Sequence, residues 1–176
     1  MTPDSNLLLP IQSDDHVEGS SDALYTLVEY GDYECPACGT LFATIRELHS
    51  QFGDNVRLVF RHYPLSGIHP HAQQAAEAAE AAAAQNRFWE MHDVLFEHQS
   101  ALRTKDLHKY SEQLGLDSER FRRELKRRVY EETVREDFRR GVANGVYGTP
   151  GLFINGVRHN DGLDLPSILK KLKETA

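Results

Sequence analysis

A chain of 176 residues with 40% hydrophobic content can bury one adequate core without cross-links, which suits a single globular domain with room for an inserted subdomain. A formal net charge of −7 excludes a general nucleic-acid binder, and no apolar run approaches a membrane span, so the expected partners are proteins or peptides. Leu7-Leu8-Leu9 lacks a basic flank and is followed by Pro10; it is read as no signal peptide, and a cytoplasmic location is expected.

Residues 1–22, with Ser13-Asp14-Asp15 and Gly19-Ser20-Ser21-Asp22, read as an extended polar lead-in without periodicity. The apolar run Leu24 to Tyr30 predicts a strand, and Leu41, Ile45, Leu48 and Phe52 predict a helix from Pro36 to Phe52. After the turn residues Gly53-Asp54-Asn55 a second strand runs from Val56 to Tyr63, which completes a right-handed βαβ unit. Pro64 to Pro70 is loop. From Ala72 to about Gln99 the chain is helical, with alanine faces that permit close packing and Phe88, Trp89, Met91 and Leu95 as core anchors. Thr104 caps a helix through Leu114 that Gly115 stops, Asp117 caps another through Val129, and a further helix passes Phe138 toward Gly145. Between Glu119 and Arg140 the charges Glu119/Arg123, Glu124/Arg128 and Glu131/Arg135 fall at i,i+4, the spacing of solvated helix ion pairs. Gly151 to Ile154 and Val157 to His159 flank Asn155-Gly156, a two-residue hairpin turn. Asp164 caps the last helix, with Pro166 in its first turn and Ile168, Leu169 and Leu172 buried. The order is βαβ, helices, ββα.

The chain has two cysteines, and both lie in Cys35-Pro36-Ala37-Cys38, at the join of the first strand and its helix. At a helix N-terminus, free backbone N–H groups and the positive dipole end favour a thiolate, which makes Cys35 the nucleophile. Cys38, about one turn further on, is placed to attack a mixed disulfide on Cys35 and release the partner. Pro36 suits the first helical turn, where its missing N–H had no intrahelical acceptor. A structural zinc site would need a second Cys or His pair at short spacing, and a structural disulfide closing so short a loop would remove little unfolded-state entropy.

A CPxC motif at a strand-helix join, a helical block and Gly148-Thr149-Pro150 opening a ββα unit together resemble the DsbA-like branch of the thioredoxin superfamily. So do Val28 through Cys35, Phe88 through Asp93, and Gly148 through Gly156. The resemblance implies an α/β thioredoxin fold with residues 23–66 and 146–176 as its core and 67–145 as a helical insertion. It implies thiol:disulfide exchange with protein thiols and disulfides, a redox recycling partner, and no cofactor. It further implies a cis Thr149-Pro150 bond facing the dithiol, so that Thr149, Pro150, Pro36 and Ala37 form the substrate-binding surface, with the Thr149 backbone pairing to an extended substrate. The branch's buried acid falls on Glu29, the one charged residue between Leu24 and Tyr30. In a strand covered on both faces its carboxyl pKa should rise, which suits it to relay a proton to or from Cys38.

Ala37 stands where the strong oxidases of the branch carry histidine, so thiolate stabilisation should rest on the helix terminus and backbone donors alone, and a very strong oxidant is not expected. The motif does not fix the direction of exchange. The competing class is a noncatalytic metal-binding module built on the CxxC pair, shared across a dimer. Among the nine histidines, His69-Pro70-His71 is the closest pair; without a third ligand at recognisable spacing, surface or capping roles are expected.

Overall fold

The computed structural model describes residues 10–175; Leu7-Leu8-Leu9 lies outside them. Five strands, β1 (His16–Glu18), β2 (Tyr25–Gly31), β3 (Val56–His62), β4 (Gly151–Ile154) and β5 (Val157–His159), form one sheet in the order β1-β3-β2-β4-β5. Helix α1 (Pro36–Phe52) connects the parallel pair β2 and β3, whereas β4 pairs antiparallel with β2 and β5 with β4. Between β3 and β4 run α2 (Ala72–Ala83), α3 (Phe88–Glu97), α4 (Thr104–Gln113), α5 (Ser118–Arg127) and α6 (Glu131–Ala143), and α7 (Leu165–Thr175) closes the chain.

Strand β2 is central and covered on both faces, which is why it reads as a continuous apolar run. Leu27 packs with Leu41, Ile45 and Leu48 of α1 and with Ile168 and Leu172 of α7. Val28 and Tyr30, alternating to the opposite face, join Val59, Tyr63, Val146 and Phe153. Glu29 shares the α1 face of the sheet with Leu27, an apolar environment for a carboxyl group. Gly31 follows it because a side chain there would run into the Phe60 ring and the Glu29 carboxylate.

The lead-in differs from the expectation for residues 1–22: His16–Glu18 forms β1, which pairs antiparallel with β3 and extends the sheet by one strand. Three residues offer too short a run for periodicity to register. The helical stretch expected from Ala72 to Gln99 is two helices, broken where Asn86 adopts φ 59°. Small faces do allow close packing, with seven alanines of α2 buried. Thr104 is not a cap but the first residue of α4; its hydroxyl donates to Gln74 Oε1, while Asp106 accepts from the Arg103 N–H. Asp117 and Asp164 cap as expected, accepting from the N–H groups of Arg120 and Ser167. Of the three expected i,i+4 pairs, Glu131–Arg135 forms at 3.1 Å; Glu124 instead pairs with Arg120, and Arg128 reaches the buried Glu77. A buried carboxylate on a neighbouring helix outcompetes a solvated one because its desolvation makes an unpaired charge costly. Among the described residues no helix is long and apolar enough to cross a membrane.

Candidate active site

Cys35 is the N-cap residue of α1, extended at φ −77° and ψ 121°, with Pro36 in the first turn. Its N–H donates to Asp32 O at 3.1 Å and its carbonyl accepts the first helical bond from Gly39 at 3.1 Å. Asp32, 1% exposed, anchors the approach to the motif: its carboxylate accepts from the N–H of Glu34 at 2.7 Å and of Leu65 at 2.9 Å and pairs with His69 Nδ1 at 2.7 Å. From the helical segment, Gln99 Nε2 donates to Tyr33 O at 2.9 Å and Cys35 O at 2.8 Å, spanning the turn that carries Cys35. Gly39 leaves room for that amide, since a Cβ there would meet the Gln99 side chain. Gln99→Ala should strip both carbonyls of this donor and cost about 1–3 kcal/mol, measured as a lower urea midpoint at unchanged m-value.

The two thiols are electrostatically unlike. A hydrogen bond from the Cys38 thiol is the largest influence on Cys35; burial opposes it, and Thr149 and the N–H groups of Cys38 and Ala37 assist, bringing the Cys35 pKa down to about 5. The helix terminus and its backbone donors therefore act, but not alone as expected from Ala37; the partner thiol acts more strongly. Cys38 is fully buried, and burial, followed by its bond to Cys35 and the charge of Glu29, holds its pKa well above the ordinary thiol value. At neutral pH this chain therefore carries a Cys35 thiolate beside a Cys38 thiol.

Glu29 pairs across the sheet with Phe60 of β3 and Leu152 of β4. Burial, then the charge on Cys35, raises its pKa to about 8, and among the described residues its Oε1 has no hydrogen-bond partner. A cavity of about 10 Å³, lined by Glu29, His92, Arg46 and Glu18 among others, borders the carboxyl group. That is close to the smallest space that admits one water.

The Thr149-Pro150 peptide bond is cis, and Cys35 Sγ lies 3.6 Å from Thr149 O, as donor when protonated. Pro36 is exposed, whereas Ala37 is half-buried against the helical segment. The loop residues Pro64, Leu65 and Ile68, with Phe138 and Tyr147, line an open apolar cleft of about 620 Å³; Ile68 is 71% and Tyr147 86% exposed. His69 and His71 each pair with a carboxylate of the motif's approach, Asp32 and Glu34. Burial works against a His69 cation, but Asp32 prevails and, helped by the Cys35 charge, raises its pKa. Sequence does not announce the roles of Asp32, His69 and Gln99: Asp32 adjoins the motif but its partners Leu65 and His69 lie across the fold, and Gln99 reaches the motif from a segment far away in sequence. Among the described residues the one group of three potential metal ligands is His16, His62 and Glu80, which does not include the cysteines.

A family model described as thioredoxin matches residues 12–174. The chain is 47% identical over 164 residues to the Na(+)/H(+) antiporter NhaA 1 of Salinispora arenicola, covering 93% of this chain and 25% of that protein. It is 40% identical over 159 residues to the Na(+)/H(+) antiporter NhaA of Herminiimonas arsenicoxydans, covering 90% and 25%. It thus spans about a quarter of the length of these curated relatives. Among solved structures, BdbD from Bacillus subtilis is similar with a TM-score of 0.81 and 23% identity over 92% of each chain. Wolbachia pipientis alpha-DsbA1 is similar with a TM-score of 0.80 and 18% identity over 97% of this chain and 95% of that one. The chain belongs to the thioredoxin family, and its fold is that of the DsbA-like branch.

Proposed function

We propose that this chain is a thiol:disulfide oxidoreductase that exchanges disulfides with extended segments of protein or peptide substrates through Cys35 and Cys38. The observation that carries the reading is the split between the thiols: a Cys35 pKa of about 5 beside a buried Cys38 whose pKa is well above the usual value. The Cys35 thiolate attacks one substrate sulfur, forming a mixed disulfide and breaking the substrate S–S bond, whose other sulfur leaves as a thiolate and takes a proton. Glu29, in the fraction that is ionised near its pKa of about 8, then accepts the Cys38 proton. Cys38 attacks Cys35 Sγ, the Cys35–Cys38 bond forms, and the second substrate thiolate departs. Run in reverse, the same steps oxidise a substrate dithiol. The Thr149 carbonyl beside Cys35 and the apolar cleft ending at Ile68 and Tyr147 support an extended peptide as substrate, its backbone pairing with the loop and its apolar side chains covering exposed surface.

Equilibration with glutathione redox buffers tests the reading. A nucleophile pKa of about 5 lies between those of thioredoxin and DsbA, so the reduction potential should fall between their values of about −270 and −120 mV. Failure to catalyse either insulin-disulfide reduction or dithiol oxidation would remove the function. We also propose a cytoplasmic site of action; a membrane-impermeant alkylating reagent applied to intact cells should leave Cys35 unlabelled. The similarity to one quarter of proteins named as Na(+)/H(+) antiporters favours a membrane transporter as physiological partner, which a Cys38→Ser trap should recover as a mixed disulfide.

A further inference from the structure

We propose that His16, His62 and Glu80 form a binding site for a borderline divalent metal ion of the Zn²⁺ class, separate from the dithiol. His16 Nε2 and His62 Nε2 lie 2.6 and 2.7 Å from the same oxygen, Glu80 Oε1, and the three donor atoms lie within 4.8 Å of one another. The residues come from β1, β3 and α2, so no sequence spacing announces them.

Both histidines are held in place by their surroundings. His16 stacks on Phe88 with ring centroids 3.5 Å apart and 6° between planes. The His62 side chain is fully buried, its ring meets Phe60 at 82°, and its backbone N–H donates to Asp137 Oδ2 at 2.9 Å. Rings fixed in this way lose little freedom on binding, which is the condition for a preorganised site. A metal ion in place of the shared Nε2 protons takes the lone pairs of both imidazoles and one Glu80 oxygen, with the remaining imidazole proton of each ring on Nδ1.

The cluster is closed on the side of the core and open on the other. His16 and Glu80 line a cleft of about 330 Å³ together with Asp14, Asp15, Glu132 and Asp137, whose carboxylates pair with Arg140, Arg61, Arg135 and Arg139 around the opening. Two imidazoles and a carboxylate match the three-ligand sites of zinc that leave a fourth position for solvent, and nitrogen donors disfavour Ca²⁺ and Mg²⁺, which take oxygen. An ion there clasps the edge strand β1 and the helix α2 onto β3.

The test uses the full chain with Cys35→Ser and Cys38→Ser, so that thiolates contribute no metal binding and the result is independent of disulfide exchange. Co²⁺ titration should reach one ion per chain with nitrogen and oxygen ligand-field bands and no thiolate charge transfer, and Zn²⁺ should displace it and raise Tm. Adding His16→Ala or Glu80→Gln to that protein should each weaken Co²⁺ binding at least about tenfold and abolish the Tm rise. His16 lies in a short edge strand and is half-buried, and Glu80→Gln keeps the size of its side chain, so the two variants remove a ligand in different structural settings. Absence of saturable binding, binding unchanged in both variants, or displacement of Co²⁺ by an equal concentration of Ca²⁺ would each overturn the site.

Discussion

Cys35→Ser should abolish disulfide exchange to the uncatalysed rate, and Cys38→Ser should accumulate mixed disulfides between Cys35 and substrate. The asymmetry follows from two environments a single turn of helix apart. Cys35, at the N-cap, has its pKa brought to about 5 by the Cys38 thiol and nearby backbone donors, so nearly all of it is thiolate at neutral pH. An ordinary thiol at pKa 8.5 is only a few per cent ionised there. Cys38 is fully buried, and burial holds its pKa well above the ordinary thiol value. Limiting alkylating reagent applied to reduced protein should therefore label Cys35 first. The same titration in Cys38→Ser has a second expected result: with a hydroxyl in place of the hydrogen-bonding thiol, the Cys35 pKa should change, since that contact is its largest influence. Faster labelling of Cys38 would reverse the assignment of nucleophile and resolving thiol.

The parts of this molecule that sequence reading captures are those whose cause is local. Pro36 and the i, i+4, i+7 apolar spacing locate α1 to the residue, Asn155-Gly156 sets the β4–β5 hairpin with both residues at positive φ, and Asp117 and Asp164 cap the helices that follow them. Glu29 stood out because one carboxylate in an otherwise apolar run conflicts with its surroundings, and burial on β2 raises its pKa to about 8. What stayed illegible depends on meetings across the fold. Three residues of β1 pair with β3 because the sheet edge is there to receive them, not because His16-Val17-Glu18 has strand character. Gln99 holds the turn that carries Cys35 from a distant segment and Asp32 ties that turn to Leu65 and His69, and a carboxylate or amide in a polar stretch carries no mark of such a task. Arg128 has Glu124 at helical spacing yet bonds Glu77, since burial decides which acid needs it. His16, His62 and Glu80 meet through three elements, and histidine pairs close in sequence, such as His69 and His71, direct attention elsewhere.

Glu29→Gln should make the protein more stable and less active, two effects of opposite sign from one buried carboxyl group. Its pKa is about 8 in the fold against 4.5 in the unfolded chain, raised first by burial and then by the charge on Cys35. Below pH 4.5 the group is protonated in both states and has no differential effect. As pH rises from there the unfolded chain releases this proton while the fold retains it, so stability is lost at about 1.4 kcal/mol per pH unit, until the folded group itself ionises near pH 8. The loss amounts to roughly 3 kcal/mol at pH 7. Glutamine keeps the shape and removes the proton, so the difference in unfolding free energy between variant and wild type should grow in favour of the variant between pH 5 and pH 8. Resolution of a preformed mixed disulfide should meanwhile slow about 100-fold near neutral pH, the usual consequence of losing a positioned base. Unaltered resolution would take the proton relay away from Glu29, and a stability difference independent of pH would show that its carboxyl ionises in the fold as freely as in the unfolded chain.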